Sequence, residues 1–258
     1  MNISQVAIQL YTLRDYLKTP QDARETLQKV KEIGYTAVQI SGMGPMSTET
    51  VRDLVQEAGL TICATHESAA LILESPQQVV DILNILGTDY TAYPCPTVKV
   101  DLLSPEGVKT WVQQLNDAGK YLYEHGKVLT YHNHHHEFMK SENKLILDII
   151  YNDTDPKYLQ GEIDTYWVQV GGGSPVEWCK KLKGRLPLLH LKDYRIGEDR
   201  AVKYAPIGSG NLDFPAIIKA AEESGCKWFI VEQDDCYGDP FVSIKSSFDY
   251  IKQNLCKS

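Results

Sequence analysis

No apolar run in the chain approaches the roughly 18 residues needed to span a bilayer. The opening Met1-Asn2-Ile3-Ser4-Gln5 lacks the basic and apolar regions of a secretory signal. No two cysteines form a CxxC pair. Cys63, Cys95, Cys179, Cys226, Cys236 and Cys256 are scattered, which suits reduced thiols in a cytoplasmic protein. Positive charge is in deficit, with 26 Lys and Arg against 34 Asp and Glu and a formal net charge of −8. That balance argues against a surface built for nucleic acid or an anionic membrane. There is no low-complexity stretch and no linker, so residues 1–258 are expected to form one domain.

What is present is alternation. Short apolar runs of β type occur at Val6–Leu10, Ala37–Ile40, Thr61–Thr65, Tyr90–Ala92, Val128–Tyr131, Leu159–Ile163, Leu186–Leu191 and Trp228–Val231. They recur about every 30 residues, the size of a βαβ unit. Amphipathic stretches lie between them. Thr19-Pro20, Ser75-Pro76, Ser104-Pro105 and Ser174-Pro175 each put a capping hydroxyl before a first-turn proline. Ser75…Gln78 and Ser174…Glu177 also fit a capping box. Gly34, Gly59, Gly126 and Gly225 stand where helices stop. Eight such units imply a parallel sheet, and their number predicts an α/β fold closed as a (β/α)8 TIM barrel. An open doubly wound sheet would usually carry a glycine-rich phosphate loop after its first strand. Here that place reads Gln9-Leu10-Tyr11-Thr12-Leu13-Arg14. Gly171-Gly172-Gly173 is followed by no Gly-Lys-Ser/Thr and is expected to be a flexible loop.

In such a barrel the reacting groups sit at the C-terminal ends of the strands. The first strand ends with Gln9 and Tyr11, and the third with His66 and Glu67. The fifth ends in Tyr131-His132-Asn133-His134-His135-His136-Glu137-Phe138. The sixth ends with Asp164, the seventh with His190, Lys192 and Asp193, and the eighth with Glu232, Gln233 and Asp234. Four consecutive strands thus deliver His, Asp or Glu to one rim. Nitrogen and oxygen donors of this kind suit one divalent ion, Mn2+, Mg2+, Co2+ or Zn2+. Each residue also has a plainer reading. Asp164 could cap a helix, His135 and His136 could be solvated turn residues, and Lys192-Asp193 could be a surface ion pair. Strand alternation places His132 and His134 on one side, expected to be the barrel mouth.

The pattern resembles the xylose-isomerase-like barrel superfamily, the sugar phosphate isomerases and epimerases. The pieces that carry it are Ile8-Gln9-Leu10-Tyr11-Thr12-Leu13-Arg14, Tyr131-His132-Asn133-His134…Glu137-Phe138, Ile163-Asp164, His190-Leu191-Lys192-Asp193 and Val231-Glu232-Gln233. The resemblance implies one metal held by Glu, Asp, His and Glu from strands five to eight. Asp164, His190 and Glu232 match the last three. The fifth-strand glutamate is replaced, and spacing back from Asp164 puts the ligand near His132. His134 matches a second active-site histidine of some relatives, and Glu137 is the weaker candidate ligand. The implied activity is proton abstraction from a keto- or aldo-sugar or a derivative, giving epimerisation or isomerisation through an enediolate. Dehydration or lyase chemistry on a keto-sugar, cyclitol or 3-keto-glycoside is the alternative. A barrel that has lost its chemistry is a further one, and an apurinic endonuclease is disfavoured by the acidic charge. Glu232 is the expected base, with His134 or Lys192 moving the second proton. Gln9, His66, Glu137, Trp167 and Asp193 are expected at the substrate, a small carbohydrate. Assembly into a homo-oligomer is left open by the sequence.

Overall fold

A computed structural model describes residues 1–96 and 100–257. Eight parallel strands close into a barrel: β1 Val6–Gln9, β2 Ala37–Ile40, β3 Thr61–His66, β4 Tyr90–Tyr93, β5 Val128–His132, β6 Leu159–Asp164, β7 Leu188–Leu191 and β8 Trp228–Val231. Their order around the wall follows the chain, with β1 closing against β8 through Val6↔Phe229 and Ile8↔Val231. The fold is therefore a single-domain (β/α)8 TIM barrel.

The strand runs are where the sequence places them, with shifted ends. β1 stops at Gln9, because Leu10–Tyr16 winds into a 3-10 helix. β7 begins at Leu188 rather than Leu186; Pro187, with no N–H, cannot donate to the ladder, and its carbonyl accepts from Lys227 and Trp228. Two short hairpins, Lys140–Ser141 with Lys144–Leu145 and Asp193–Ile196 with Val202–Ala205, interrupt the simple alternation above the barrel mouth.

Helix starts obey local chemistry. The hydroxyls of Thr19, Ser104 and Ser174 accept the amide N–H of Asp22, Gly107 and Glu177, and a proline fills the first helical position each time. Ser75 does not cap through its side chain. It also closes the preceding short helix Ala69–Glu74, donating its N–H to Leu71, and that role sets its backbone away from the capping geometry. The triple glycine is not a loose loop. A β-carbon on Gly171 would lie 2.4 Å from the Phe138 ring, and one on Gly173 2.6 Å from it, so the absent side chains let this turn lie flat on an aromatic.

The main core lies between the helices and the outer wall of the sheet. Trp111 on helix Pro105–Glu124 is fully buried there and donates its indole N–H to the Tyr93 hydroxyl at 3.1 Å. Its truncation to alanine would cost about 3–5 kcal/mol. A smaller cluster of Ala7, Ala37, Cys63, Ala64, Leu188 and Ile230 plugs the barrel itself. Small residues there leave the space above for a polar layer. Gln9, Gln39, Glu162 and His190 occupy that layer, all fully buried. Among the described residues no helix is long and apolar enough to cross a membrane.

Candidate active site

Strand pleating supplies the site. Glu162 and Asp164 are two apart on β6 and share its inner face, one layer apart. Register sets Asp164 beside His190 and Glu162 beside His132. Glu232 follows β8 directly, its N–H donating to Leu191. One ligand atom each of His132, Asp164, His190 and Glu232 lies within 4.8 Å of the others, and all four residues are buried.

Asp164 both caps a helix and faces the site. Oδ1 accepts the Trp167 N–H at 2.9 Å, while Oδ2 is buried without a hydrogen bond. Burial pushes its carboxyl up to about 7, with Glu232 adding to the rise and Lys192 opposing it. His190 lies between carboxylates: Nδ1 is 3.0 Å from Glu232 and Nε2 is 2.9 Å from Glu162. Burial works against its charge, but Glu162 and Glu232 outweigh it and raise it to about 10. His132 goes the other way, lowered by burial and by His190. His134 is lowered to about 4, chiefly by burial.

Lys192 is buried with its ammonium 3.0 Å from Glu232, 2.8 Å from Asp234 and 3.5 Å from Asp164. It is no surface ion pair. Burial penalises its charge, yet these carboxylates hold it well above the usual lysine range. The rings of Trp167, Tyr204 and Tyr166 stand 5.3, 5.5 and 5.9 Å from the ammonium. Thr165 fixes the turn, its hydroxyl accepting the Lys192 N–H at 3.0 Å. The cavity above has a volume of about 360 Å3, and His66, His132, His134, Lys192 and Glu232 line it.

The donor set fits a divalent cation. Two carboxylates and two imidazoles converge, and Asp164 Oδ2 is a buried acceptor with no hydrogen-bond partner among the described residues, its nearest cation the Lys192 ammonium at 3.5 Å. Among the described residues, Asp164, Glu232 and Asp234 share one ammonium, that of Lys192.

The xylose isomerase-like TIM barrel family matches residues 27–254. The chain belongs to that family. An inosose dehydratase from Mesomycoplasma hyopneumoniae is 22% identical over 265 residues, covering 88% of this chain and 87% of that one. An inosose dehydratase from Geobacillus thermodenitrificans is 26% identical over 159 residues, where the alignment spans 55% of this chain and 53%, about half, of that relative. A sugar phosphate isomerase/epimerase structure from Parabacteroides distasonis superposes with a TM-score of 0.81 at 25% identity, covering 99% of this chain and 96% of that one. The chain is an enzyme of this xylose isomerase-like family.

Several residues of this xylose isomerase-like barrel stand elsewhere than the sequence reading expects. Glu137, expected at the substrate, is buried beneath the turn: it accepts from the Tyr131 hydroxyl at 2.6 Å and from the His134 N–H at 2.8 Å. Asp193 is spent on four backbone amides, those of Tyr194, Gly208, Gly210 and Leu212, and shapes the loop instead. Gln9 is closed off from the cavity and donates to Gln39 at 3.0 Å. His66 does line the cavity, and Trp167 borders it through Lys192 and a tilted contact with His134. Asn133, beside His132, accepts the Asp164 N–H at 3.0 Å.

The residue that sequence reasoning missed is Glu162. Its carboxylate lies 2.5 Å from His66, 3.3 Å from His132 and 2.9 Å from His190, and accepts from Gln39 at 2.9 Å. Burial would raise it, but His66 and His190 hold it well below the usual carboxylate range. The signal was available: it precedes Asp164 by two on a strand. Asp234, Tyr204 and Cys95 were likewise given no role.

Proposed function

We propose that this chain is a metal-dependent isomerase or epimerase that removes a proton beside the carbonyl of a small keto- or aldo-sugar or a derivative. The convergence of His132, Asp164, His190 and Glu232, with Asp164 Oδ2 unsatisfied, carries this reading. A divalent ion held by these four would supply Lewis-acid neutralisation of enediolate charge. The proton work falls to the chain. Glu232 faces the cavity, and Lys192 and His190 keep it ionised against the effect of burial, so it is the base. His134 also faces the cavity, is neutral near pH 7, and follows β5, three strands round the wall from β8. It therefore meets the substrate from another side, where its neutral imidazole can take up a proton and, once charged, return one to the enediolate. Lys192 stays charged and donates to substrate oxygen.

A second reading, dehydration of a cyclitol or keto-sugar, has the inosose dehydratase relatives in its favour. It shares the first step and differs only in what leaves. The test is solvent-deuterium incorporation, followed by NMR, with the metal-loaded enzyme and a panel of ketoses, inososes and 3-keto-glycosides. Exchange at one carbon with a new epimer or isomer is the expected result. Exchange accompanied by loss of water would select the second reading. No exchange with any substrate would sink both.

A further inference from the structure

We propose that Cys95, His134 and His136 form a second metal site at the cavity rim, one selective for a borderline-soft ion such as Zn2+ or Co2+. The Cys95 thiol sulfur and one nitrogen of each imidazole lie within 4.8 Å of one another. Ligand bonds of about 2.0–2.3 Å put tetrahedral donors roughly 3.5 Å apart, so closure needs side-chain shifts of about 1 Å. The turn is already organised for it. The His134 and His136 rings stack at 5.4 Å with 8° between their planes. His134 Nδ1 is buried without a hydrogen bond. Glu137 pins the His134 amide and lies 3.1 Å from His136 Nε2, where it can orient a metal-bound imidazole by its far nitrogen. Cys95 is exposed at the cavity lining, so an ion can enter without unfolding.

The two sites differ in donor chemistry. His132, Asp164, His190 and Glu232 offer only nitrogen and oxygen, which hard ions such as Mg2+ and Mn2+ accept. The rim cluster offers a thiolate, which those ions bind poorly. His134 belongs to the rim cluster and to the catalytic cavity, so an ion at the rim withdraws it from proton transfer.

Cobalt reports on the difference, because thiolate ligation gives an intense near-ultraviolet charge-transfer band that nitrogen and oxygen ligation lacks. The full chain, kept reduced with a phosphine, is titrated with Co2+. The expected result is two bound equivalents with the band present. Cys95→Ser and His136→Gln should each lose one equivalent, and Cys95→Ser should lose the band. Asp164→Asn should also lose one equivalent yet keep the band. Absence of the band in the wild-type chain, or its survival undiminished in Cys95→Ser, overturns the rim site. Two equivalents retained in Asp164→Asn would instead overturn the four-residue site while the band still supports this one.

Discussion

Asp164 divides its two oxygens between structure and chemistry: Oδ1 accepts the Trp167 N–H at 2.9 Å, and Oδ2 is buried without a hydrogen bond. The helix cap holds the carboxylate rigid, and its second oxygen, 3.5 Å from the Lys192 ammonium, is left within ligand reach of His132, His190 and Glu232.

Asp164→Asn and Glu232→Gln should each abolish stoichiometric binding of Mn2+ at the four-residue site. His135→Ala should not, since His135 is exposed and touches its surroundings through the Trp167 and His136 rings, outside the four-residue cluster. Metal analysis after dialysis checks this. Chelation of the wild-type chain, relative to 100 times its Kd of metal, should remove about 2.7 kcal/mol. For a chain of this size that lowers Tm by roughly 5–11 °C.

Glu162→Gln should behave differently. The side chain keeps its shape, but His66, His132, His190 and Gln39 lose their shared anion. Metal affinity should fall about 10–100-fold rather than vanish. Stability should fall by about 3–5 kcal/mol, because buried partners are left uncompensated. Urea unfolding and metal titration read the two effects separately. Unchanged affinity would show that Glu162 does not orient the histidines.

Lys192→Gln should retain metal and lower kcat about 100-fold or more, the usual scale for removing a donor to an oxygen that gains charge in the transition state. Lys192→Arg should rescue little, because a bulkier planar guanidinium would have to enter a fully buried position where one compact ammonium meets Glu232, Asp234 and Asp164. Steady-state rates on the substrate found by deuterium exchange, with metal content measured in parallel, decide it.

A pH effect should come from the turn, measured in chelator. Burial opposes the His136 charge, but Cys95 and Glu137 raise it to about 10. A group raised in the folded state stabilises fully below its unfolded value, near 6.5, and loses that contribution as pH climbs through the folded value. Glu137 is lowered, since His136 and Tyr131 outweigh its burial, so its contribution holds above about 4.3 and fades as pH falls. The wild-type chain should therefore exceed His136→Gln by about 1 kcal/mol near pH 6, on the scale of a charge-assisted hydrogen bond in a half-buried turn. The gap should shrink steadily from pH 7 to 10. A gap that widens with pH would contradict the pairing.

The order of strands and helices was readable along the chain because each is a local matter. Short β-branched and aromatic runs such as Phe229-Ile230-Val231, bounded by turn residues, read as buried strands, and Ser104-Pro105 or Thr19-Pro20 satisfies the first amides of a helix without help from elsewhere. Eight such units leave few ways to bury the sheet, and the barrel then brings the ends of β5 to β8 to one rim. That much of the site, Asp164, His190 and Glu232 with a histidine beside them, follows from strand period and strand order. What lies within a strand end or beyond it does not. Glu162 became the anchor of three imidazoles only because neighbouring strands are staggered so that His132 pairs beside it and His190 beside Asp164. Glu137 turned inward because Tyr131 and the His134 amide offered its carboxylate buried partners, and Asp193 was drawn off by the adjacent Tyr194 amide and by three amides from a loop fifteen and more residues away. Cys95 met His134 and His136 through the adjacency of β4 and β5. A carboxylate's partners are chosen by distance in space, and those distances are set by the closure of the barrel.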